Sequence, residues 1–187
     1  MERPDFVHLH LHSEYSLSDG IIRIKELVSR ASSLQYSAVG LTDLTNLFGL
    51  LEFYRSSREK GIKPIVGAEV NVIKDKDSLP APIVLLVKDK QGYINLTKIV
   101  SKAYVDGQVN GEPMVELSLL QKYSEGLIAL SGGMEGHVGQ SILAGNILLT
   151  ESRIKFFKSI FGEDFFIEVH RLGKTNEEEY NNAAIDI

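Results

Sequence analysis

Six short apolar runs punctuate this chain, and helical patterns fill the spaces between them. The runs are Phe6–His10, Ala38–Thr42, Ile65–Val72, Ile83–Lys88, Leu127–Ser131 and Phe165–Val169. Most are apolar at consecutive positions, the pattern of strands covered on both faces. Between them, Ile22–Leu34 places Ile24, Leu27, Val28 and Ala31 on one helical face. Leu47–Lys60 stops at Gly61, and Tyr93–Tyr104, Leu117–Tyr123, Val138–Leu143, Leu149–Phe161 and Asn176–Ile185 follow. Thr150 with Glu151 reads as a helix start, and Thr175 with Glu178 as a capping box. Repeated strand–helix–strand units predict an α/β fold on a parallel sheet, open or closed into a barrel. One domain over residues 1–187 is expected, with surface loops at Lys74–Pro82 and Asp106–Pro113. The chain ends at Ile187 within a helical pattern that no strand follows, so a barrel would be incomplete at this end.

Composition narrows the function classes. The formal net charge is −5 and no basic block offsets it, which argues against this stretch gripping DNA by itself. Cysteine is absent, which excludes disulfides and thiolate metal sites. No apolar run approaches the roughly 20 residues of a membrane helix. Met1–Asp5 lacks the apolar core of an export signal, so a cytoplasmic chain with no membrane partner is expected.

The chemistry-bearing segment is Val7-His8-Leu9-His10-Leu11-His12, followed by Ser13 and, further on, Asp19-Gly20. In a strand, alternate side chains share a face, so His8, His10 and His12 would project together. Imidazole is the commonest metal ligand, and Asp19 could add a carboxylate. The plainer reading is that histidines in strands are satisfied core or surface groups; three at period two favour the metal reading. Asp43, at the end of the next strand, could ligate a metal or cap a helix. Glu69 sits inside an apolar strand, where an ionised carboxylate needs a metal or an ion-pair partner. His137 opens a helix and reads as a surface or capping residue. Tyr36, Tyr54, Tyr93, Tyr104 and Tyr123 read as packing residues, and Glu177–Glu179 as a solvated first helical turn.

Several segments resemble, in order, the landmarks of one family. They are His8–Gly20, Leu41–Gly49, Gly61–Glu69, Gly92–Thr97, Gly126–Gly133 and Phe166–His170. Together they are similar to the polymerase-and-histidinol-phosphatase (PHP) domain at the N-terminus of bacterial DNA polymerase III alpha subunits. That resemblance implies a TIM-like, distorted (βα) barrel holding up to three divalent metals (Zn, Mn or Mg), which in active members hydrolyse phosphoesters or proofread as a 3′–5′ exonuclease. His10, His12, Asp19 and Glu69 fall on ligand positions, Asp43 matches the second motif's Asp, and His8 is a further candidate.

Departures from the pattern are equally specific. Leu44 stands where a histidine follows Asp43, Pro82 where one opens the fourth strand, and Gly133 where a Cys or His is common. Leu172 stands where a histidine follows Glu168, with His170 offset; the closing Asp-x-His pair would lie beyond Ile187. The resemblance therefore implies a vestigial or partial metal site with no catalytic residue in this stretch. In that branch, proofreading belongs to a separate exonuclease subunit, epsilon, which docks on the PHP domain. Other replicase subunits and primer-template DNA meet the parent chain, whose polymerising aspartates lie in a later palm domain. The alternative is a working divalent-metal phosphoesterase or 3′–5′ exonuclease.

Overall fold

The computed structural model describes residues 6–74 and 78–187, so the expectations for Met1–Asp5 and for the middle of the 74–82 loop lie outside it. The chain divides into two compact units, Met1–Glu69 and Val70–Ile187.

The first unit holds α1 (Ile24–Ser33), β1 (Ala38–Leu41), α2 (Leu50–Glu59) and the start of β2 (Lys63–Ile73). Apolar positions three and four apart turn Ile24, Val28 and Ala31 of α1 inward. They pack with Val39, Leu41, Phe53 and Ile62 into one core, with Leu11, Tyr15, Leu27 and Tyr36 against its margin. β1, buried at all four residues, pairs in parallel with β2 from Ala38↔Lys63 to Leu41↔Val66, and α2 makes the crossover. The expected strand at Phe6–His10 does not form. That segment runs beside β1 but shares only sparse backbone bonds: Gly40 N donates to His8 O at 2.7 Å and Thr42 N to Leu11 O at 2.9 Å. Gly40 permits the approach, because a Cβ there would lie 2.7 Å from the Leu9 carbonyl oxygen.

The second unit carries the end of β2, then β3 (Ala81–Val87), α3 (Lys90–Val105), β4 (Gln108–Val109), β5 (Glu112–Pro113), β6 (Val115–Glu116), α4 (Leu117–Tyr123) and β7 (Leu127–Leu130). α5 (His137–Leu143), α6 (Ile147–Phe161), β8 (Phe165–Phe166) and α7 (Glu177–Ile185) complete it. Its strands are ordered β2–β3–β7–β8, with β6 also against β2; among the described residues the path ends at β8. β2 with β6 and β7 with β8 are parallel, as expected, but β3 runs antiparallel to β7. The sheet is mixed for a simple reason: residues 74–80 are too few for the crossover a parallel neighbour needs. No helix among the described residues is long and apolar enough to cross a membrane.

Local chemistry moved several boundaries. The 106–113 loop contains the β4–β5 hairpin, turned by Asn110 and Gly111 at φ 54° and 86°, the primed turn that Asn-Gly favours. α6 starts at Ile147 because the Asn146 side chain accepts from Leu149 N, and Thr150 lies buried inside the helix. The Thr175–Glu178 box is not made: Asn176, at φ 64°, precedes α7 without a side-chain cap. Nor is Glu177 solvated; it is buried and accepts from Leu172 N and Gly173 N, both at 2.7 Å. Those backbone donors, Leu172 foremost, hold its carboxyl below the usual range. Tyr54, Tyr93 and Tyr104 are exposed, whereas Tyr36 packs on the core. His137 is neither surface nor cap. Its Nε2 donates to Val72 O at 3.2 Å and its ring stacks on Phe157 at 6.3 Å. Burial, then the charge of Arg153, hold its pKa below the ordinary 6.5.

Gly40→Ala is expected to lift residues 8–11 off β1 and cost about 1–3 kcal/mol in urea unfolding, the usual range for overpacking. Because folding lowers the His137 pKa, the unfolded chain takes up that proton first on acidification. The stability His137 contributes is present above pH 6.5 and is lost as pH falls from there toward the folded pKa. Unfolding midpoints at pH 7.5 and 5.5 should accordingly differ less in His137→Gln than in the parent chain.

Candidate metal centre

The site grows out of the segment that lies on β1. Thr42 Oγ1 accepts from Leu11 N at 2.8 Å and donates to Leu11 O at 3.1 Å, while Gly40 N holds His8 O. Three steps, from residue 8 to 11, are thus set against two, from 40 to 42, so the two segments run out of step. His8 leaves the file at this point. Its ring sits edge-on to Phe6 and Tyr36, at 4.9 and 5.6 Å, whereas the rings of His10 and His12 meet at 5.4 Å.

Glu69 is pinned from the other side by backbone. Thr45 N donates to Glu69 O at 2.7 Å, and Glu69 N lies 3.3 Å from both Thr42 O and Asp43 O. Its side chain then reaches the histidines: Oε2 is 2.6 Å from His10 Nε2 and 3.7 Å from His12 Nε2. One donor atom from each of His10, His12 and Glu69 lies within 4.8 Å of the others. Two imidazoles and a carboxylate form a donor set suited to zinc or manganese. His12 faces Glu69 more distantly than His10 does, as the long arm of the same ion pair. His12 Nδ1 is bonded to Asp19 Oδ2 at 2.9 Å, while His12 Nε2 is buried with no hydrogen-bond partner. A buried ring nitrogen that faces a carboxylate beyond hydrogen-bond reach is the feature that fits a cation, since a group without a hydrogen bond otherwise bears a desolvation cost.

The sequence placed Asp43 and Asp19 in the same ligand set, and the geometry gives each a different task. Asp43, 1% exposed, accepts from three donors: Ser13 N at 2.6 Å, Ser16 Oγ at 2.7 Å, and the Ser13 hydroxyl, shared between its two oxygens at 3.0 and 2.8 Å. Both its oxygens are engaged by the turn that follows His12. It caps no helix either; α2 begins after Gly49 without a side-chain cap. Asp19 binds the far nitrogen of His12 and is not among the clustered donors. Ser13, Ser16, Thr42 and Asn46 are functional supports that spacing did not reveal. Asn46 Nδ2 donates to Tyr15 O and Leu44 O, and its Oδ1 accepts from Phe48 N, which shapes the turn after Asp43. Small polar residues on both sides of a strand-end Asp were the available signal.

In the second unit, His170 Nε2 pairs with Glu168 Oε1 at 2.9 Å, and Glu168 N donates to Ser131 Oγ at 3.0 Å. The His170 ring lies where a Cβ on Gly133 would come within 2.9 Å, so Gly133 makes room for the offset histidine. Leu172 is exposed, and its backbone N–H is held by Glu177.

Residues 8–172 match the PHP domain family. The chain is 42% identical to DNA polymerase III subunit alpha of Escherichia coli and 39% identical to that of Vibrio cholerae, each over 189 aligned residues. In both cases the match covers 100% of this chain and 16% of the relative, so the chain spans about a sixth of their length. A crystal structure of a Bifidobacterium adolescentis protein, proposed to be a metal-dependent phosphoesterase, superposes with a TM-score of 0.56 over 99% of this chain and 85% of the other. At 13% identity, that likeness concerns the fold.

Asp43→Ala would strand the buried Ser13 and Ser16 donors and should cost roughly 3 kcal/mol or more by denaturant unfolding. Ser16→Ala, which removes one bond to the carboxylate, should cost about half that. Faster amide exchange over residues 13–16 in both variants would locate the loss.

Proposed function

The chain belongs to the PHP domain family, and from that premise we propose that it is the PHP region of a cytoplasmic replicative DNA polymerase of the DNA polymerase III alpha kind. In this reading residues 1–187 act as a structural and docking module in replication. The proofreading exonuclease subunit, epsilon, docks on the module, while the polymerising chemistry and the DNA contacts belong to the rest of the parent chain. Identity of about 40% along the whole chain to two alpha subunits supports the assignment. The net charge of −5 supports a module that does not hold DNA itself.

One observation supports the non-catalytic reading: the buried Asp43 carboxylate is engaged by Ser13 and Ser16 and is not among the clustered donors. Leu44 beside it carries no ligating atom. A hydrolytic centre of clustered metals needs several ions to generate hydroxide and clamp phosphoryl oxygens together. His10, His12 and Glu69 would hold one. When bound, such an ion supplies Lewis acidity and a charge that neutralises Glu69. The surrounding residues orient it: Asp19 holds His12, and the backbone of Thr45 holds Glu69.

A second reading, a divalent-metal phosphoesterase or 3′–5′ exonuclease, draws on the unpartnered His12 Nε2. The two separate cleanly. Elemental analysis after exposure to Mn²⁺ and Zn²⁺ is expected to give no more than one ion per chain, lost in His12→Ala, with no release of nucleotides from a primer 3′ end. Two or more ions, together with hydrolysis that His12→Ala abolishes, would establish the phosphoesterase reading instead. Co-sedimentation with the epsilon subunit of the same replicase tests the docking role directly.

A further inference from the structure

The stretch between His12 and Ile22 is specified more tightly than burial requires. Glu14–Asp19 forms a 3₁₀ turn that Ser13 caps, with Ser13 and Ser16 anchored on Asp43. Within it Leu17 holds φ 56° and ψ −89°, a left-handed conformation strained for an L side chain. Packing does not compensate the strain: Leu17 is 83% exposed, and Ile21 beyond the turn is 95% exposed. Backbone joins the two ends of the turn, Glu14 N donating to Ile22 O at 2.9 Å, and Asp19 Oδ2 adds the side-chain contact to His12 Nδ1, although the Asp19 side chain is itself 66% exposed.

That contact sets the orientation of His12. A carboxylate oxygen accepts, so Nδ1 is the donor, which leaves Nε2 as the ring nitrogen that faces Glu69. Outer carboxylates that fix the tautomer and aim of a ligating histidine are a recurrent design at metal centres. Asp19 is placed for that task and lies outside the clustered donors.

We infer that Asp19 is a positioning residue of the metal centre rather than a ligand, and that cation binding at His10, His12 and Glu69 is coupled through the His12–Asp19 bond to the order of the strained 14–19 turn. The inference rests on the cation reading of the site given above. Coupling of this kind is reciprocal: the cation stiffens the turn, and a turn already held in place binds the cation more tightly.

Zinc alone is a sufficient probe, with calorimetric titration and amide exchange as readouts. Saturating Zn²⁺ should slow exchange over residues 14–20 about tenfold in the parent chain. Asp19→Ala should weaken zinc binding about 10- to 100-fold and leave exchange in the turn unchanged even when zinc is saturating. Asp19→Asn keeps an oxygen that accepts from Nδ1, and should bind zinc within about threefold of the parent. Melting temperatures close to the parent's are expected for both variants, since Asp19 is mostly exposed. An Asn variant as weak as the Ala variant would make Asp19 a ligand and overturn the inference. So would zinc binding with no change in exchange, or no zinc binding at millimolar concentration. The structural reading of the chain is tested separately: hydrolysis of a primer end would overturn that reading and leave the coupling untouched.

Discussion

A buried carboxylate in an apolar unit is a liability unless its oxygens are occupied, because an ionised group stripped of water costs far more than one packed side chain returns. Asp43 meets that condition with one backbone amide and two serine hydroxyls, all from the turn after His12. The consequence reaches in both directions. Anchoring Ser13 fixes where the histidine-bearing segment leaves β1, and anchoring Ser16 fixes where the 3₁₀ turn begins. Thr42 and Asn46, on either side of Asp43, extend the same polar seam to Leu11 and Tyr15. The aim of His10 and His12 therefore depends on a residue that touches neither.

Much of the fold was legible because burial on both faces leaves a plain mark. Ala38–Leu41, Lys63–Ile73 and Leu127–Leu130 lie within a residue or two of the consecutive apolar runs that predicted them. Strand direction leaves no such mark. β3 has the same apolar composition as the strands that pair in parallel, and only the shortness of the 74–80 link points to the reversal. The Phe6–His10 run has strand composition, yet its backbone bonds to β1 are too sparse and out of step to form a ladder. Helix starts depended on single side chains: Asn146 captured the start of α6, and Glu177 was drawn inward by the amides of Leu172 and Gly173 instead of remaining on a solvated turn.

The site was legible in its clustered donors and opaque in its supports. Period-two spacing singled out His10 and His12, and a lone acid in an apolar strand singled out Glu69; all three meet. Asp43 and Asp19 were identified as acids of the site, but sequence cannot tell a ligand from the residue that orders one. That distinction depends on which hydroxyl or imidazole nitrogen reaches the carboxylate first. His8 shows the same limit, since a one-residue slip against β1 goes with its ring lying beside Phe6 and Tyr36 and not in the histidine file. The donor set of His10, His12 and Glu69 thus stands beside an acid engaged by hydrogen bonding.

The β4–β5 hairpin has a consequence of a different kind, in chemical ageing. Asn110 and Gly111 are both exposed, and glycine offers no side chain to shield its amide nitrogen from the neighbouring Asn carboxamide. Succinimide closure and deamidation are therefore least hindered at this pair, and they would leave a new negative charge, and in part an isoaspartyl backbone, at the tip. The damage is sterically contained. Strands of two residues each carry the turn, and their sheet is separate from the one that holds β7 and β8. Covalent wear on a long-lived copy of this chain would thus accumulate at an exposed tip outside the main sheet.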